Sequence, residues 1–316
     1  MICKTMQGRL GNQMFQYATL RAYMEKYGNE KLVLDFGMLE DKSFKDELCN
    51  FKVIPYKKYV DHEKFKRECQ MDLMQKIAFK KMIAMRKIIA IRGRKTHNED
   101  SILRKYEFKK SKKLMEKFGL YFVNQGYIEL KGTKKNNKYF YGFFESPKYF
   151  CNIKKQLMRE FTPKNKKMFK NLKLYDLIEK TNSVCVTIRR GDFVDDAKNV
   201  GNHYVCTPDY FYKAIDKMNS IIKHPQFIIF SDDIEWVRQN MFFPKGTVFE
   251  DGTDPVWEKI RLMYSCKHFI ISNSTFSWWA QYLSRNNEKK VIAPSIWKNY
   301  YQNDDIYEPD WILIKP

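Results

Sequence analysis

The stretch Ser183-Val-Cys-Val-Thr-Ile-Arg-Arg-Gly-Asp192 predicts a short buried strand that ends in two arginines, a glycine and a carboxylate. In open α/β sheets, ligands bind at the carboxyl ends of the strands. Two adjacent guanidinium groups suit a diphosphate there, because each presents a planar fork of donors and stays charged. For Arg189 and Arg190 alone, a pair of surface arginines is the alternative. The polar segments after other predicted strands favour a binding site.

Hydrophobic segments of strand length alternate with helical segments along both halves of the chain. Strands 2–6 and 31–35 flank a helix from about Gln13 to Tyr27, which predicts an opening β-α-β unit. The second half alternates strand 184–189, helix 208–222, strand 226–230, helix 233–240, strand 268–272, helix 275–284 and strand 290–293. Such alternation is typical of parallel, doubly wound sheets. We therefore expect an α/β protein with two Rossmann-like domains facing a cleft, residues 1–170 and 171–316.

Length and composition indicate a folded protein. At 316 residues, 44% of them hydrophobic, the chain can bury a substantial core, and disorder is not expected. Its seven cysteines are scattered without a CxxC pair, which favours reduced thiols over a disulfide framework or a zinc site. The sequence has no apolar run of about 18 residues and no signal-peptide pattern. We expect a soluble, cytoplasmic protein.

The formal net charge of +21 is concentrated in one region. Residues 57–117 contain 20 lysines and arginines against 8 acidic residues. Within this region, segment 71–92 has apolar residues at helical spacing with basic residues between them: Met71, Met74, Ile77, Met82, Met85, Ile88 and Ile89. Such a helix can lie on an anionic membrane at the inner membrane face, or it can pack on the core with a solvated lysine face. Nucleic acid is not expected as a partner, because no recognition motif accompanies the charge.

Two further polar segments follow predicted strands of the second half. Asp232 and Asp233 follow the strand 226–230, where they can cap the next helix or accept N–H donors from a base such as guanine. Residues 272–277 stand at the start of a helix, where N–H groups, the helix dipole and hydroxyls favour an anion. The alternative there is a well-capped helix that buries at least one of Trp278 and Trp279.

A fourth polar segment, Gln7-Gly-Arg-Leu-Gly-Asn-Gln13, lies between the first predicted strand and helix. It is a weak phosphate-loop signal, because it matches neither G-x-G-x-x-G nor a P-loop. In a two-domain protein, Arg9 and Asn12 could reach the donor or the acceptor from the opposite side of the cleft.

Together, four segments resemble glycosyltransferase family 11, the α-1,2-fucosyltransferases. The matching segments are Gly8–Ala18, Ile188–Asp192, Phe230–Trp236 and Leu262–His268 running into Ser272–Trp279. They occur in the family's order and span nearly the whole chain. The resemblance implies a GT-B-like fold, GDP-β-L-fucose as the donor, and inversion at the anomeric carbon without a metal ion or cofactor. The implied reaction adds fucose to the 2-hydroxyl of a terminal galactose, or a related hexose, on a glycan or lipid-linked precursor.

The resemblance also implies roles for individual residues. Arg189 and Asp192 would be catalytic: Arg189 would hold the β-phosphate and stabilise the departing GDP, and Asp192 and Arg190 would shape that loop. Asp232 and Asp233 would lie near guanine. The remaining residues expected to bind the donor are Asn273, Ser274, Thr275, Phe276, Ser277, Arg9 and Asn12.

Several points stay open. The family usually has a histidine where this chain has Thr187, so the resemblance does not extend to any nucleotide contact of that histidine. Asp192, Asp195 and His203 are near the motif, but their spacing singles out none of them as a general base. The alternatives are a transferase for another nucleotide sugar, metal catalysis through Asp192, Asp195 and Asp196, and a basic membrane- or nucleic-acid-binding module.

Overall fold

The structure is a computed structural model, and it describes residues 1–28, 30–40, 44–93, 115–123, 126–195, 200–201, 203–299 and 304–316. These residues form two compact units, which we describe separately. Unit 1 comprises Met1–Arg9, Phe15–Asp46 and Ile54–Ile153. Unit 2 comprises Leu10–Met14, Glu47–Val53 and Lys154–Pro316.

Unit 1 is built on a five-stranded parallel sheet with the order β3-β2-β1-β5-β4. Its strands are β1 (Ile2–Thr5), β2 (Leu32–Asp35), β3 (Lys57–Tyr59), β4 (Leu120–Val123) and β5 (Lys138–Gly142). The helices of this part of the chain are α1 (Leu10–Tyr27), α2 (Gly37–Glu40), α3 (His62–Glu68) and α4 (Leu73–Gly93). The first three strands pair in chain order, and the chain then places β5 on the other side of β1.

Unit 2 is built on a six-stranded sheet with the order β11-β10-β9-β6-β7-β8, in which the paired strands are parallel. Its strands are β6 (Asn182–Ile188), β7 (Pro225–Ser231), β8 (Val248–Phe249), β9 (His268–Ile270), β10 (Val291–Pro294) and β11 (Ile312–Ile314). Its helices are α5 (Lys154–Glu160), α6 (Leu172–Lys180), α7 (Gly191–Asp195), α8 (Pro208–Ile221), α9 (Ile234–Asn240), α10 (Val256–Ser265) and α11 (Thr275–Tyr282). The predicted α/β class with two Rossmann-like units is confirmed.

The central strand of unit 2 is buried along almost its whole length. Every residue from Ser183 to Ile188 is buried, as expected for a parallel strand whose two faces are both covered. Helix α8 contributes one continuous apolar face to the same core, through Tyr210, Phe211, Ala214, Ile215 and Met218. The residues that follow β6 are therefore attached to a well-packed core.

The division between the units differs from the predicted boundary, because residues 154–170 pack with unit 2. Phe161 meets Trp279 edge to face, with ring centroids 5.0 Å apart. The buried guanidinium of Arg261 donates to the carbonyl oxygens of Asn165 and Lys166, at 2.6 and 2.7 Å. The backbone of this segment therefore satisfies a buried arginine of unit 2.

Helix α4 confirms a helix in the basic region. Of the predicted apolar residues, Met82 is buried and Met71 and Met85 pack against the same core, whereas Met74 and Ile77 are exposed. Gln75, Ala78 and Met82 are buried, whereas the exposed side carries apolar residues: Leu73, Met74 and Ile77 are 72%, 52% and 40% exposed. The side chains of Ile88 and Ile89 lie outside the described residues. Among the helices in the described ranges, none combines the length and the apolar character needed to cross a membrane.

A polar residue stands on the buried face of α4 because its amide is fully used. The Gln75 side chain donates to the carbonyl oxygens of Phe118 and Asn137, at 2.8 Å each. Its oxygen accepts from the backbone N–H of Asp72 at 3.1 Å. Buried polar groups are tolerated when such bonds replace those to water. A sequence pattern that counts only apolar residues cannot identify this contact.

The seven cysteines are free thiols, of which Cys49 and Cys151 are exposed and the other five are buried. This confirms the prediction of scattered, mostly buried thiols. Burial raises the pKa of Cys206 to about 12, so this thiol stays protonated at neutral pH.

Candidate functional site

The two arginines that follow β6 are held by the two carboxylates that follow β7. The Arg189 guanidinium forms an ion pair with the Asp232 carboxylate. The same carboxylate accepts the backbone N–H of Arg190 at 2.8 Å. The side-chain Nε of Arg190 donates to Asp233 at 3.3 Å. Because β6 and β7 are adjacent and parallel, two segments that are 42 residues apart form one charged cluster.

The carboxylates do not cap the helix that follows them. Asp233 is the N-cap residue of α9, but its side chain accepts no capping hydrogen bond. The capping interpretation is therefore wrong, and pairing with the arginines is what the structure shows. Partial burial explains the pairing, since the side chains of Arg189 and Asp232 are only 17% and 26% exposed. Charges at this depth are costly unless an opposite charge compensates them.

Gly191 makes room for the Asp232 carboxylate. Its φ is +21°, and a Cβ at this position would lie 2.5 Å from Asp232 Oδ2. Phe193, two residues later in α7, places its ring centroid 5.4 Å from the Arg189 guanidinium carbon. Two residues of α7 thus lie against the arginine–carboxylate cluster: Gly191 beside Asp232, and Phe193 beside Arg189.

The Trp236 ring contacts the Arg190 guanidinium, which also donates a hydrogen bond to Asp233. The Arg190 guanidinium carbon lies 3.1 Å from the centroid of the indole. Cation–π contacts of this kind contribute about 0.5–2 kcal/mol, depending on burial. Trp236 stands three residues after Asp233, so α9 presents both side chains to the same guanidinium. Trp236 is not among the site residues predicted from the sequence, although its spacing from Asp233 on a helix could have indicated a shared contact.

Thr187 ties β6 to the segment that follows β9. Its hydroxyl accepts the backbone N–H of Ser272 at 3.2 Å and lies 3.5 Å from the carbonyl oxygen of Ile270. The strand order reverses between β6 and β9, and in doubly wound sheets such a switch point forms the ligand crevice. The buried Thr187 hydroxyl thus links β6 to the segment after β9 at this switch point.

The segment 272–277 divides into buried and surface residues. The Asn273 amide donates to the carbonyl oxygens of His203 and Trp297, at 2.8 and 3.0 Å. The Ser277 hydroxyl lies 3.2 Å from that of Ser272, and both are buried. The buried side chains of Asn273 and Ser277 therefore stabilise the loop through these hydrogen bonds. The half-buried residues of the segment are Ser274, Thr275 and Phe276.

The start of helix α11 packs closely against the first turn of α1. A Cβ at Gly11 would lie 2.5 Å from the backbone nitrogen of Phe276. The Trp279 indole donates to the Gly11 carbonyl oxygen at 3.1 Å. The N-cap residue Ser274 makes no side-chain capping bond, so the well-capped alternative is wrong. Trp279 and its neighbour Trp278 are fully buried, as predicted.

Arg9 and Asn12 fall in different units. Asn12 is half-buried in the first turn of α1, which packs with unit 2. Arg9 is exposed at the end of the first segment of unit 1, with its guanidinium carbon 5.1 Å from the Phe44 ring centroid. The preceding loop is held by Gln16, whose side chain makes bonds of 3.1 and 2.7 Å to the backbone of Gln7.

The side chains of Asp192 and Asp195 lie outside the described residues, and so does the whole of Asp196. The His203 ring stacks on Phe193, with centroids 5.4 Å apart.

Within the described ranges, the carboxylates of Glu250, Asp251 and Asp254 lie close enough together to hold a cation. Lys170 already lies 3.0 and 2.9 Å from the two aspartates, and Lys259 lies 3.2 Å from Glu250. Burial raises the pKa of Glu250 above its usual range, which weakens its charge further. We assign this group to ion pairing.

Two Rossmann-like units and a cationic cluster at a strand end suit a glycosyltransferase that uses a nucleotide sugar, and the family comparison shows this class. Residues 61–315 match the family described as Glycosyl transferase family 11. The chain belongs to this family, and the resemblance found in the sequence is confirmed.

Individual relatives differ in the sugar that their names give. The chain is 30% identical over 297 residues to an alpha-1,2-colitosyltransferase of Escherichia coli, covering 92% of this chain and 90% of that protein. It is 24% identical over 313 residues to the O-antigen biosynthesis glycosyltransferase WbnK of Escherichia coli, covering 97% and 98%. A galactoside alpha-(1,2)-fucosyltransferase 1 of Leontopithecus chrysomelas is 25% identical over 187 residues, covering 55% and 51%. The solved structure of fucosyltransferase NodZ from Bradyrhizobium aligns with a TM-score of 0.47 and 11% identity, covering 89% and 92%.

Gly191→Ala should weaken the arginine–carboxylate cluster. The new methyl group displaces the Asp232 carboxylate, and Arg190 and Arg189 lose a charge-assisted hydrogen bond that contributes about 1.5–3 kcal/mol. We expect kcat/KM for the nucleotide sugar to fall roughly tenfold to hundredfold. Gly201→Ala is the matched control, because a Cβ at Gly201 meets nothing within 4 Å. Equal kinetics for both variants would contradict the role of Gly191.

Trp236→Leu should loosen Arg190 without removing any charge. Loss of the indole contact predicts a roughly threefold to thirtyfold higher donor KM, with the melting temperature measured in parallel. Trp257→Leu is the control, since this indole also lies beside an arginine of unit 2, Arg261, at 5.3 Å. If both variants change the donor KM equally, the effect is general destabilisation and the assigned role of Trp236 is wrong.

Proposed function

We propose that the protein transfers L-fucose from GDP-β-L-fucose to the 2-hydroxyl of a terminal galactose, or a related hexose, on a glycan or lipid-linked precursor. The observation that carries the proposal is the paired guanidinium cluster at the carboxyl end of β6, in a chain of glycosyltransferase family 11. The relatives named as galactoside α-(1,2)-fucosyltransferases support this donor and acceptor.

The chemistry places negative charge on the leaving phosphate while the sugar becomes oxocarbenium-like. A cation that is already oriented stabilises this charge without reorganisation, and such preorganised groups are usually the largest catalytic contribution. Asp232 and the Phe193 ring orient the Arg189 guanidinium. A guanidinium has five N–H donors, so one such group can bond a carboxylate and a phosphate at the same time. We therefore propose that the reaction needs neither a metal ion nor a cofactor.

Guanine recognition is the proposed role of the Asp232–Asp233 segment. A carboxylate offers about four acceptor sites, and a guanine edge presents N–H donors. Asp232 already accepts from both arginines, whereas the Asp233 side chain bonds to Arg190 and is 38% exposed. We favour Asp233 as the residue that contacts the base. Ser274, Thr275 and Phe276 are the proposed diphosphate contacts, because they stand at the N-terminus of α11.

GDP-colitose is the second candidate donor, because the relative that is 30% identical is named an alpha-1,2-colitosyltransferase. Colitose is 3-deoxy-L-fucose, so the two donors differ by one hydroxyl group. A site built to bond that hydroxyl discriminates strongly against the deoxy sugar, whereas the reverse discrimination is weak. Rates with both donors, on a small panel of galactosides, separate the two candidates.

Arg189→Ala should abolish most of the transfer activity. Removing one preorganised donor to a developing oxyanion lowers kcat by about 10²–10³-fold. Steady-state kinetics with GDP-fucose, in EDTA, provide the measurement, and thermal melting confirms folding. Arg238→Ala is the control, since this arginine lies on helix α9 of the same unit and pairs weakly with Glu235 at 3.9 Å. A folded Arg189→Ala protein with near-normal turnover would contradict the mechanism.

Peripheral contact with an anionic membrane is proposed for the exposed side of α4. Leu73, Met74 and Ile77 are exposed there, with Lys76, Lys80 and Lys81 beside them. Apolar residues can enter the headgroup region while each lysine near an anionic surface adds about 1 kcal/mol. Such contact would bring the enzyme to lipid-linked acceptors.

Charge reversal of Lys80 and Lys81 to Glu should weaken sedimentation with phosphatidylserine-containing vesicles by roughly 30-fold or more at low salt. Uncharged vesicles should not retain the protein. Reversing Lys180 and Lys213 to Glu changes the net charge equally but leaves α4 intact, so binding should persist. Equal loss in both double variants would show a nonspecific charge effect and refute the docking surface.

A further inference from the structure

Phe193 connects the Arg189 guanidinium to a histidine from a later segment of unit 2. The guanidinium carbon of Arg189 lies 5.4 Å from the centroid of the Phe193 ring. The imidazole of His203 stacks on the same ring, with centroids 5.4 Å apart and an interplanar angle of 24°. Offset stacking at such a separation is a favourable arrangement of two aromatic rings. Arg189 and His203 thus contact one and the same side chain.

The backbone of His203 is bonded to the loop that follows β9. Its carbonyl oxygen accepts the side-chain amide of Asn273 at 2.8 Å and the backbone N–H of Val205 at 2.9 Å. The Cys206 thiol, three residues later, donates to the amide oxygen of Asn273 at 3.5 Å. Asn273 and Cys206 are buried, where the loss of a hydrogen bond is costly. Segment 203–206 is therefore firmly attached to this loop.

The same loop leads directly into the proposed diphosphate contacts, because Asn273 is followed by residues 274–276. The contacts of Asn273 with His203, of His203 with Phe193 and of Phe193 with Arg189 form one continuous series within unit 2. Asp232 holds Arg189 from the side of β7, whereas this series reaches it from the side of β9. The guanidinium is thus supported from the strands on both sides of β6.

Two kinds of role are open to a histidine beside this cluster, and they need different parts of the residue. Proton transfer, or a positive charge on the ring, requires the ring nitrogens. Holding Phe193 in place requires only a flat ring at position 203 and the backbone carbonyl that bonds Asn273. A phenylalanine at this position would preserve the second role and abolish the first.

We propose that His203 is a positioning residue for Arg189, an inference that deepens the proposed function and rests on it. The His203 ring restricts the rotation of Phe193, and the Phe193 ring restricts the movement of the guanidinium about its ion pair with Asp232. A cation stabilises the charge of a departing diphosphate best when it is oriented before that charge develops. The stack therefore contributes to kcat through Arg189.

The first test compares His203→Ala with His203→Phe, using whichever nucleotide sugar the wild type accepts. Loss of the ring should lower kcat about threefold to tenfold, because one aromatic stack contributes a free energy of that size. His203→Phe keeps the stack, so its kcat should stay within about twofold of the wild type and its pH–rate profile should be unchanged. A folded His203→Phe protein as defective as His203→Ala would show that the ring nitrogens act, and would overturn the proposal.

The second test asks whether the effect of His203 passes through Arg189. In an Arg189→Ala background, His203→Ala should lower kcat by less than about a further twofold, because no guanidinium is left to position. A further loss as large as in the wild-type background would overturn the positioning role and leave the role of Arg189 intact. Near-normal turnover of a folded Arg189→Ala protein would instead refute the proposed mechanism, and this inference with it.

Phe243→Ala is the matched control, because unit 2 contains a second arrangement of an arginine and two aromatic rings. The Arg238 guanidinium carbon lies 5.3 Å from the centroid of the Phe249 ring, which meets the Phe243 ring edge to face at 5.4 Å. This arrangement includes none of the arginines and carboxylates of the cluster after β6. The control should keep kcat near that of the wild type, with melting temperatures measured in parallel. An equal loss of kcat in Phe243→Ala and His203→Ala would show general destabilisation and contradict the proposal.

Discussion

The site in unit 2 depends on the compensation of two adjacent guanidinium groups by two carboxylates. Arg189 and Arg190 are neighbours in the chain and both are largely buried, so without partners they would repel each other and lose hydration. Asp232 and Asp233 remove this cost. The same pairing explains why a glycine follows the arginines, because a Cβ at Gly191 would collide with Asp232. One electrostatic constraint thus explains five residues of two separate motifs.

The topology of the sheet brings a third segment to this cluster. The chain runs from β6 outward to β8 and then crosses to β9 on the other side of β6. The resulting crevice is bridged by the Thr187 hydroxyl, which accepts the N–H of Ser272. Asn273 anchors the same loop through two backbone carbonyl groups. Several polar residues of this segment therefore build the loop, whereas Ser274, Thr275 and Phe276 at the start of α11 are half-buried.

Unit 1 also reverses its strand order beside the first strand, but there the chain reaches the edge strand β4 before it returns to β5, next to β1. Its carboxyl edge has a different chemistry, with one buried carboxylate that orients a histidine. The carboxyl edges of the two sheets therefore differ in character: unit 2 carries a cationic cluster there, and unit 1 carries a buried carboxylate bonded to a histidine.

The sequence by itself determined the α/β class, the β6 strand with its arginines, and the family. These conclusions depend on local signals: the length and burial of a strand, the helical period, and short motifs in order. The tertiary structure decided the carboxylate partners of the arginines, the inward direction of Asn273 and the pairing of Asp35 with His62. It also decided that residues 154–170 pack with unit 2 and that α4 buries Gln75. Each of these depends on which distant strands and loops become neighbours, and hydrophobic periodicity contains no information about that choice.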